Sequence, residues 1–157
     1  MTAEEMVSLR SVQPGDLPRI YDLQLDPESN RMAVTLPRIG EAFDSHWAKA
    51  LGDPSITARA VLVSGALVGF ISCFPRDGQD HVGYWIDRAY WGRGIASRAL
   101  HLLLQEVVKR PLVATVATGN GASLRVLQTC GFVIEKVRLS PANERHPECE
   151  EAVLVLR

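Results

Sequence analysis

Apolar and polar positions along this chain keep one period and then switch to another. Val82, Tyr84 and Ile86 alternate with His81, Gly83 and Trp85, the two-residue period of a strand with one buried face. After a glycine-rich turn, Ile95, Ala99, Leu102, Leu103 and Val107 recur at near-helical spacing and stop before Pro111. The same reading predicts a first strand over residues 6–11 and a helix from Asp16, as its N-cap, through about Leu25. Pro27 and Pro37 bracket a segment read as irregular, and Phe43, Trp47, Ala50 and Leu51 mark one face of a second helix that Asp53-Pro54 ends. Strands over 59–63 and 67–74 flank Ser64-Gly65-Ala66, a tight hairpin turn. Further strands are expected over 113–118, 132–137 and 152–157, with a short helix over 123–129 and a polar stretch over 140–150. Hairpins mixed with a strand–helix–strand crossover predict an α/β (α+β) class with a mixed sheet flanked by helices.

Bulk properties narrow the setting without choosing a chemistry. At 157 residues, with no repeat, linker or low-complexity stretch, one domain over residues 1–157 is expected. A formal net charge of −1 gives no electrostatic case for nucleic acid as a partner. No apolar run approaches the roughly 18 residues of a membrane span, and residues 1–13 lack a signal-peptide pattern. Cys73, Cys130 and Cys149 show no C-x-x-C spacing, and an odd count without an export signal predicts reduced thiols in a cytoplasm. His46, His81, His101 and His146 have no metal-ligand spacing with each other or with the cysteines, so no metal is expected. Monomer and homodimer both remain open.

The chemistry concentrates at Tyr90-Trp91-Gly92-Arg93-Gly94-Ile95-Ala96-Ser97, between the strand and the amphipathic helix. Small residues there keep side chains away from the turn, and backbone N–H groups at a helix start favour an anion, most naturally a diphosphate. A dinucleotide fingerprint needs glycine where Ser97 stands and an acidic residue about 20 positions on, and residues 113–118 offer none. A phosphate-loop NTPase needs a Gly-Lys-Ser/Thr ending, which is missing.

The segment Trp91-Gly92-Arg93-Gly94-Ile95-Ala96 resembles the acyl-CoA-binding motif of the GNAT superfamily of N-acetyltransferases, Arg/Gln-x-x-Gly-x-Gly/Ala. Trp91 departs from the first position of that pattern, an exchange familiar in the branch that includes the ribosomal-protein alanine N-acetyltransferases. Asn120-Gly121-Ala122-Ser123-Leu124-Arg125-Val126-Leu127, followed by Cys130-Gly131-Phe132, resembles the same branch. The resemblance implies a single mixed, mostly antiparallel sheet of about six to seven strands with about four helices. It also implies a cofactor cleft between two splayed parallel strands.

For function, the resemblance implies an enzyme that moves an acetyl group from acetyl-CoA to a primary amine of a protein N-terminus or small molecule. Direct attack in a ternary complex is expected, since no residue is poised to carry the acyl group. The implied cofactor contacts are backbone groups near Trp85 and Ile86 for the pantetheine, and the N–H groups of Gly92, Arg93, Gly94, Ile95, Ala96 and Ser97 for the diphosphate. Trp91 reads as packing beneath that loop, and Arg93 either pairs with a phosphate or is solvated. Asn120 would hold the pantetheine or form a turn. Many relatives use a tyrosine on the last helix as the acid for the thiolate, but no tyrosine follows Tyr90 here. Ser123 is the candidate acid in its place, with a helix-capping role as the alternative.

No residue identifies itself as the base. The strand carries no carboxylate within 82–86, which leaves Asp80, His81, Asp87, Glu28, His46 or a water chain, and His81 reads as a surface residue. Cys130 reads as a buried, inert thiol. Glu148, Glu150 and Glu151 either face water or draw a cationic amine to the last hairpin. A non-catalytic acyl-CoA-binding module remains the competing reading, with a nucleotide-binding domain more distant.

Overall fold

The computed structural model describes residues 6–157, which build one seven-stranded sheet in the order β1-β2-β3-β4-β5-β7-β6. The strands are β1 (Val7–Ser11), β2 (Thr57–Val63), β3 (Ala66–Arg76), β4 (Gln79–Ile86), β5 (Leu112–Ala117), β6 (Val133–Ser140) and β7 (Cys149–Leu156). Every neighbouring pair is antiparallel except β4 and β5. Five helices accompany the sheet: α1 (Leu17–Gln24), α2 (Pro27–Ala33), α3 (Glu41–Gly52), α4 (Ile95–Glu106) and α5 (Gly121–Thr129). Two-residue turns close the first two hairpins. Ser64 and Gly65 take φ of 49° and 85°, and Asp77 and Gly78 take 51° and 75°, the left-handed pair that matches strand twist.

Three local expectations are corrected. Residues 27–33 form a helix, because proline suits the first helical position and the Asp26 carboxylate accepts the Ser29 N–H at 3.0 Å as the cap. Asp16 precedes α1 without capping it. Its carboxylate turns back to accept the Arg10 guanidinium at 2.7 and 2.8 Å and the Gln13 N–H at 2.8 Å. Phe43, Trp47 and Ala50 are buried on α3, but Leu51 is 37% exposed, because one further residue rotates it off the stripe.

The sheet buries both faces. On one, Ala58 and Ala60 of β2 cluster with Val12, with Ile20 of α1 and with Phe43, Trp47 and Ala50 of α3, and Trp47 is set edge-on to Phe70 at 5.3 Å. The other packs Ile71, Cys73, Val82, Leu112 and Leu154 against Ile95, Ala99, Leu100 and Leu103 of α4 and Leu127 of α5. Burial of fully enclosed side chains such as Leu100 and Leu103 contributes about 1.5–3 kcal/mol each.

The feature that positions a site is an interrupted pairing. β4 and β5 meet only at Asp80↔Leu112 and His81↔Val113. β4 continues to Ile86 against β3, and β5 continues to Ala117 against β7, so the sheet stays intact on both sides of a gap that opens between them. Two parallel strands held apart in this way leave main-chain groups facing open space.

Candidate active site

The first structure at the gap is the turn into α4. Gly92 and Gly94 both take φ of 75°, and a Cβ added to either would meet nothing within 4 Å. The glycines are therefore required by backbone conformation, not by crowding from the protein. Gly94 caps α4 without a side-chain hydrogen bond, and Arg98 N–H donates to the Gly94 carbonyl at 3.1 Å to begin the helix. None of the amides of Gly92, Arg93, Gly94, Ile95, Ala96 and Ser97 donates to another described residue. A helix start with its amides unspent and its dipole intact is a ready anion site. Nearby on α4, Arg98 Nε is buried without an acceptor. These orphaned donors fit a diphosphate.

Side chains around the turn hold it to β4. Trp91 is 39% exposed, and its indole N–H donates to the Ile86 carbonyl at 2.9 Å. The Arg93 guanidinium lies 5.1 Å above the Tyr90 ring. The ladder between β3 and β4 decides which backbone groups reach the gap. Asp87 N–H donates to the Val68 carbonyl at 2.7 Å, and Phe70 pairs with Trp85, so strand alternation turns the main chain of Trp85 toward β3. Tyr84 and Ile86 turn theirs toward the gap. Trp85 instead uses its indole, which donates to the Leu23 carbonyl of α1 at 2.9 Å.

The second structure is the start of α5. Asn120 is its N-cap, with Oδ1 accepting the Ser123 N–H at 3.3 Å. The Ser123 hydroxyl is therefore not spent on capping. It lies 2.7 Å from the Tyr84 hydroxyl, across the open part of the β4–β5 gap. Tyr84 was visible in the sequence only as an inward member of the strand alternation, and nothing there showed that its hydroxyl meets Ser123. Burial, partly offset by the Ser123 hydrogen bond, pushes the phenol above its ordinary value, so it stays protonated at neutral pH. Cys130 is half-buried with Sγ 3.7 Å from the Ser97 carbonyl, and burial raises its thiol, so it too stays protonated.

The candidate bases divide sharply. Asp80 pairs with Lys109 at 3.1 Å, Asp87 with Arg19 at 2.8 Å, and Glu28 with Arg31. His81 is not a surface residue: it is 6% exposed and stacked on Phe74, with ring centroids 6.0 Å apart. Its partner Val113 and the Phe74 ring cover it, and that burial lowers its pKa below the ordinary value. His46 keeps solvent contact on α3, yet the protein beside it, then Arg38, Arg145 and Lys49, lower it to about 4. Both imidazoles are neutral at pH 7. In the last hairpin, Glu150 accepts the Thr118 hydroxyl at 3.0 Å and Glu151 pairs with Arg138 at 2.8 Å. Among the described residues no group of three or more His, Cys, Asp or Glu side chains is placed to hold a metal, and no helix is long and apolar enough to cross a membrane.

Comparison with known proteins agrees with this geometry. The family described as Acetyltransferase (GNAT) domain matches residues 7–133. A Bacillus subtilis (strain 168) protein, YdaF, that carries the name of a ribosomal N-acetyltransferase is 23% identical over 146 residues, 83% of this chain and 80% of that protein. Mycobacterium smegmatis RimJ, solved in complex with CoA-disulfide, superposes with a TM-score of 0.78 at 19% identity, covering 96% of this chain and 81% of its own. Spermidine N-acetyltransferase from Vibrio cholerae, solved with CoA and spermine, gives 0.76 at 18% identity and covers 96% of each chain. At these identities the structural likeness is one of fold.

Proposed function

The chain belongs to the GNAT acetyltransferase family, and from that premise we propose that it transfers acetyl from acetyl-CoA to a primary amine by direct attack in a ternary complex. The amine belongs to a protein N-terminus or to a small molecule. The observation that carries this reading is the Tyr84–Ser123 hydroxyl pair, 2.7 Å apart at a gap whose rim also holds the unspent amides of the α4 turn. In this reading those amides hold the diphosphate. The gap-facing main chain of Tyr84 and the Ile86 N–H hold the pantetheine, the Ile86 carbonyl being taken by Trp91.

The amine nitrogen attacks the thioester carbon, a C–N bond forms, the C–S bond breaks, and the sulfur leaves as a thiolate that needs a proton. A serine hydroxyl alone is a poor acid for that step. With Tyr84 donating to Ser123 Oγ, the Ser123 proton is free to pass to sulfur while the Tyr84 proton follows it. A phenol, ordinarily near pKa 10, is the better proton source of the two.

Calorimetric titration with acetyl-CoA, with NAD and ATP as controls, followed by thiol release with a panel of amines, tests the reading. Saturable binding of acetyl-CoA together with amine-dependent thiol release is expected. Tight binding without turnover on any amine would return the protein to an acyl-CoA-binding module. Absence of acetyl-CoA binding by the folded protein would remove the cofactor assignment altogether.

A further inference from the structure

Three arginines from separate segments, Arg38, Arg76 and Arg145, have no carboxylate salt-bridge partner among the described residues. Arg38 lies between α2 and α3, and its main chain is pinned to the buried Gln24 of α1. Its N–H donates to Gln24 Oε1 at 3.0 Å and its carbonyl accepts from Nε2 at 2.8 Å. Arg145 lies between β6 and β7. Its carbonyl accepts the Leu36 N–H at 2.7 Å and its guanidinium donates to the Leu36 carbonyl, which joins the two loops. Arg76 ends β3, with its guanidinium 5.0 Å above the Phe74 ring, whose neighbour in the stack is His81.

The register places this group. Phe74 and His81 are paired, and His81 pairs with Val113 at the last contact before β4 and β5 part. Both lie on the face opposite Cys73 and Val82, which pack toward α4 and α5. Arg76 thus stands at the neck of the gap, across the sheet from the amides and hydroxyls of the cofactor side, and Arg38 and Arg145, joined through the Leu36 segment, lie close enough to feel its charge. Burial and then the mutual repulsion of Arg38, Arg145 and Arg76 weaken the hold of Arg38 on its proton, and burial and Arg76 do the same to Arg145, with Glu144 the compensating neighbour for both. Two carboxylates of the adjacent hairpin are engaged elsewhere, Glu150 with Thr118 and Glu151 with Arg138. Guanidinium groups without a salt-bridge partner lack the carboxylate or phosphate that their planar, bidentate geometry favours.

We propose that the acceptor carries an anionic group, a carboxylate or a phosphate, beside its reacting amine, and that Arg38, Arg76 and Arg145 receive it. The proposal rests on the N-acetyltransferase reading and adds the charge of the substrate. It also bears on the proton problem. A positive potential at the acceptor mouth disfavours the ammonium form of the incoming amine, which helps deliver it as the neutral nucleophile. The same potential repels an acceptor with a second cationic centre.

The test compares initial thiol release with the tripeptide amides serine-aspartate-alanine, serine-asparagine-alanine and serine-lysine-alanine, and with spermidine. Free aspartate and O-phosphoserine are added to separate a small-molecule anion from a peptide side chain. The aspartate peptide, or one of the small acids, should exceed the asparagine peptide in kcat/KM by roughly tenfold or more, the size of one charge-assisted hydrogen bond. The lysine peptide and spermidine should fall below the asparagine peptide. In Arg38→Gln and Arg145→Gln the ratio of acidic to neutral acceptor should collapse toward one. Arg76→Gln, on an exposed strand end, serves if loss of the Leu36 anchor unfolds the Arg145 variant. Equal rates for the three peptides, a preference for lysine or spermidine, or a ratio that survives all the substitutions overturns the proposal. If no amine is turned over, the acetyltransferase reading fails separately. Titration of the N-acetylated aspartate and asparagine peptides into the CoA-saturated protein then decides the charge preference, and equal binding counts against it.

Discussion

Tyr84 and Ser123 form a unit whose members are separable by mutation. If the pair protonates the departing sulfur as proposed, Tyr84→Phe and Ser123→Ala should each lower kcat by about 10–100-fold while the KM for acetyl-CoA moves little. The double variant should be no slower than the worse single, as for two links of one relay. Multiplying losses in steady-state kinetics would mean that the hydroxyls act independently. A second residue-scale prediction follows from His46. Its pKa in the folded protein lies near 4 against an ordinary 6.5, so the unfolded chain takes up the proton first as pH falls. The stability linked to neutral His46 is present in full above 6.5 and is lost as pH falls toward about 4, and His46→Gln should flatten denaturation midpoints over that window. Ser123 was legible because a motif carries it. Tyr84 was not, because a hydroxyl 39 positions away becomes a partner only when β4 and α5 are brought together. His81 was misjudged for the same reason: its covering ring, Phe74, arrives through a hairpin.

At the scale of elements, local chemistry and punctuation account for most of what was readable. The turn into α4 tests this most directly. Gly94→Glu places a carboxylate and a strained φ of +75° at the start of a helix whose amides are unspent. Titration should show acetyl-CoA binding abolished, while circular dichroism shows the folded spectrum retained. Normal binding by the folded variant would move the cofactor site elsewhere. The glycine-rich turn and the α5 cap follow from residues close in sequence; the turn lies where the motif puts it, whereas the cap falls on Asn120 and not on Ser123. Asp16 and Pro27 misled for a related reason. Each is a local helix signal, but Arg10 diverted the first and the Asp26 cap converted the second from a breaker into a start.

For the whole molecule, acetyl-CoA held in the open gap as proposed would make cofactor binding and stability one problem. A ligand that bridges β4, the α4 turn and α5 binds the folded state only. Acetyl-CoA at a hundred times its Kd should therefore add about 2.7 kcal/mol and raise Tm by roughly 5–10 °C for a chain of this size. Thermal unfolding at rising acetyl-CoA checks this, and a flat Tm together with measurable binding would mean that the unfolded chain binds the ligand as well, against a site assembled by the fold. Strand order β1-β2-β3-β4-β5-β7-β6 sets the geometry behind this coupling, since inserting β7 beside β5 keeps the sheet whole past the gap.

What this sequence determined by itself is what neighbouring residues impose on each other. The alternation of β4, the amphipathic stripe of α4, the first hairpin turn and the two cofactor-side motifs all depend on contacts within a few positions or on periodicity. Tertiary structure alone decided where β4 and β5 part, that Tyr84 meets Ser123, and that Arg38, Arg76 and Arg145 have no salt-bridge partner among the described residues. Those outcomes depend on segments that are distant in sequence, and on charges whose cost is set by burial and by each other. Neither quantity exists until the sheet has formed.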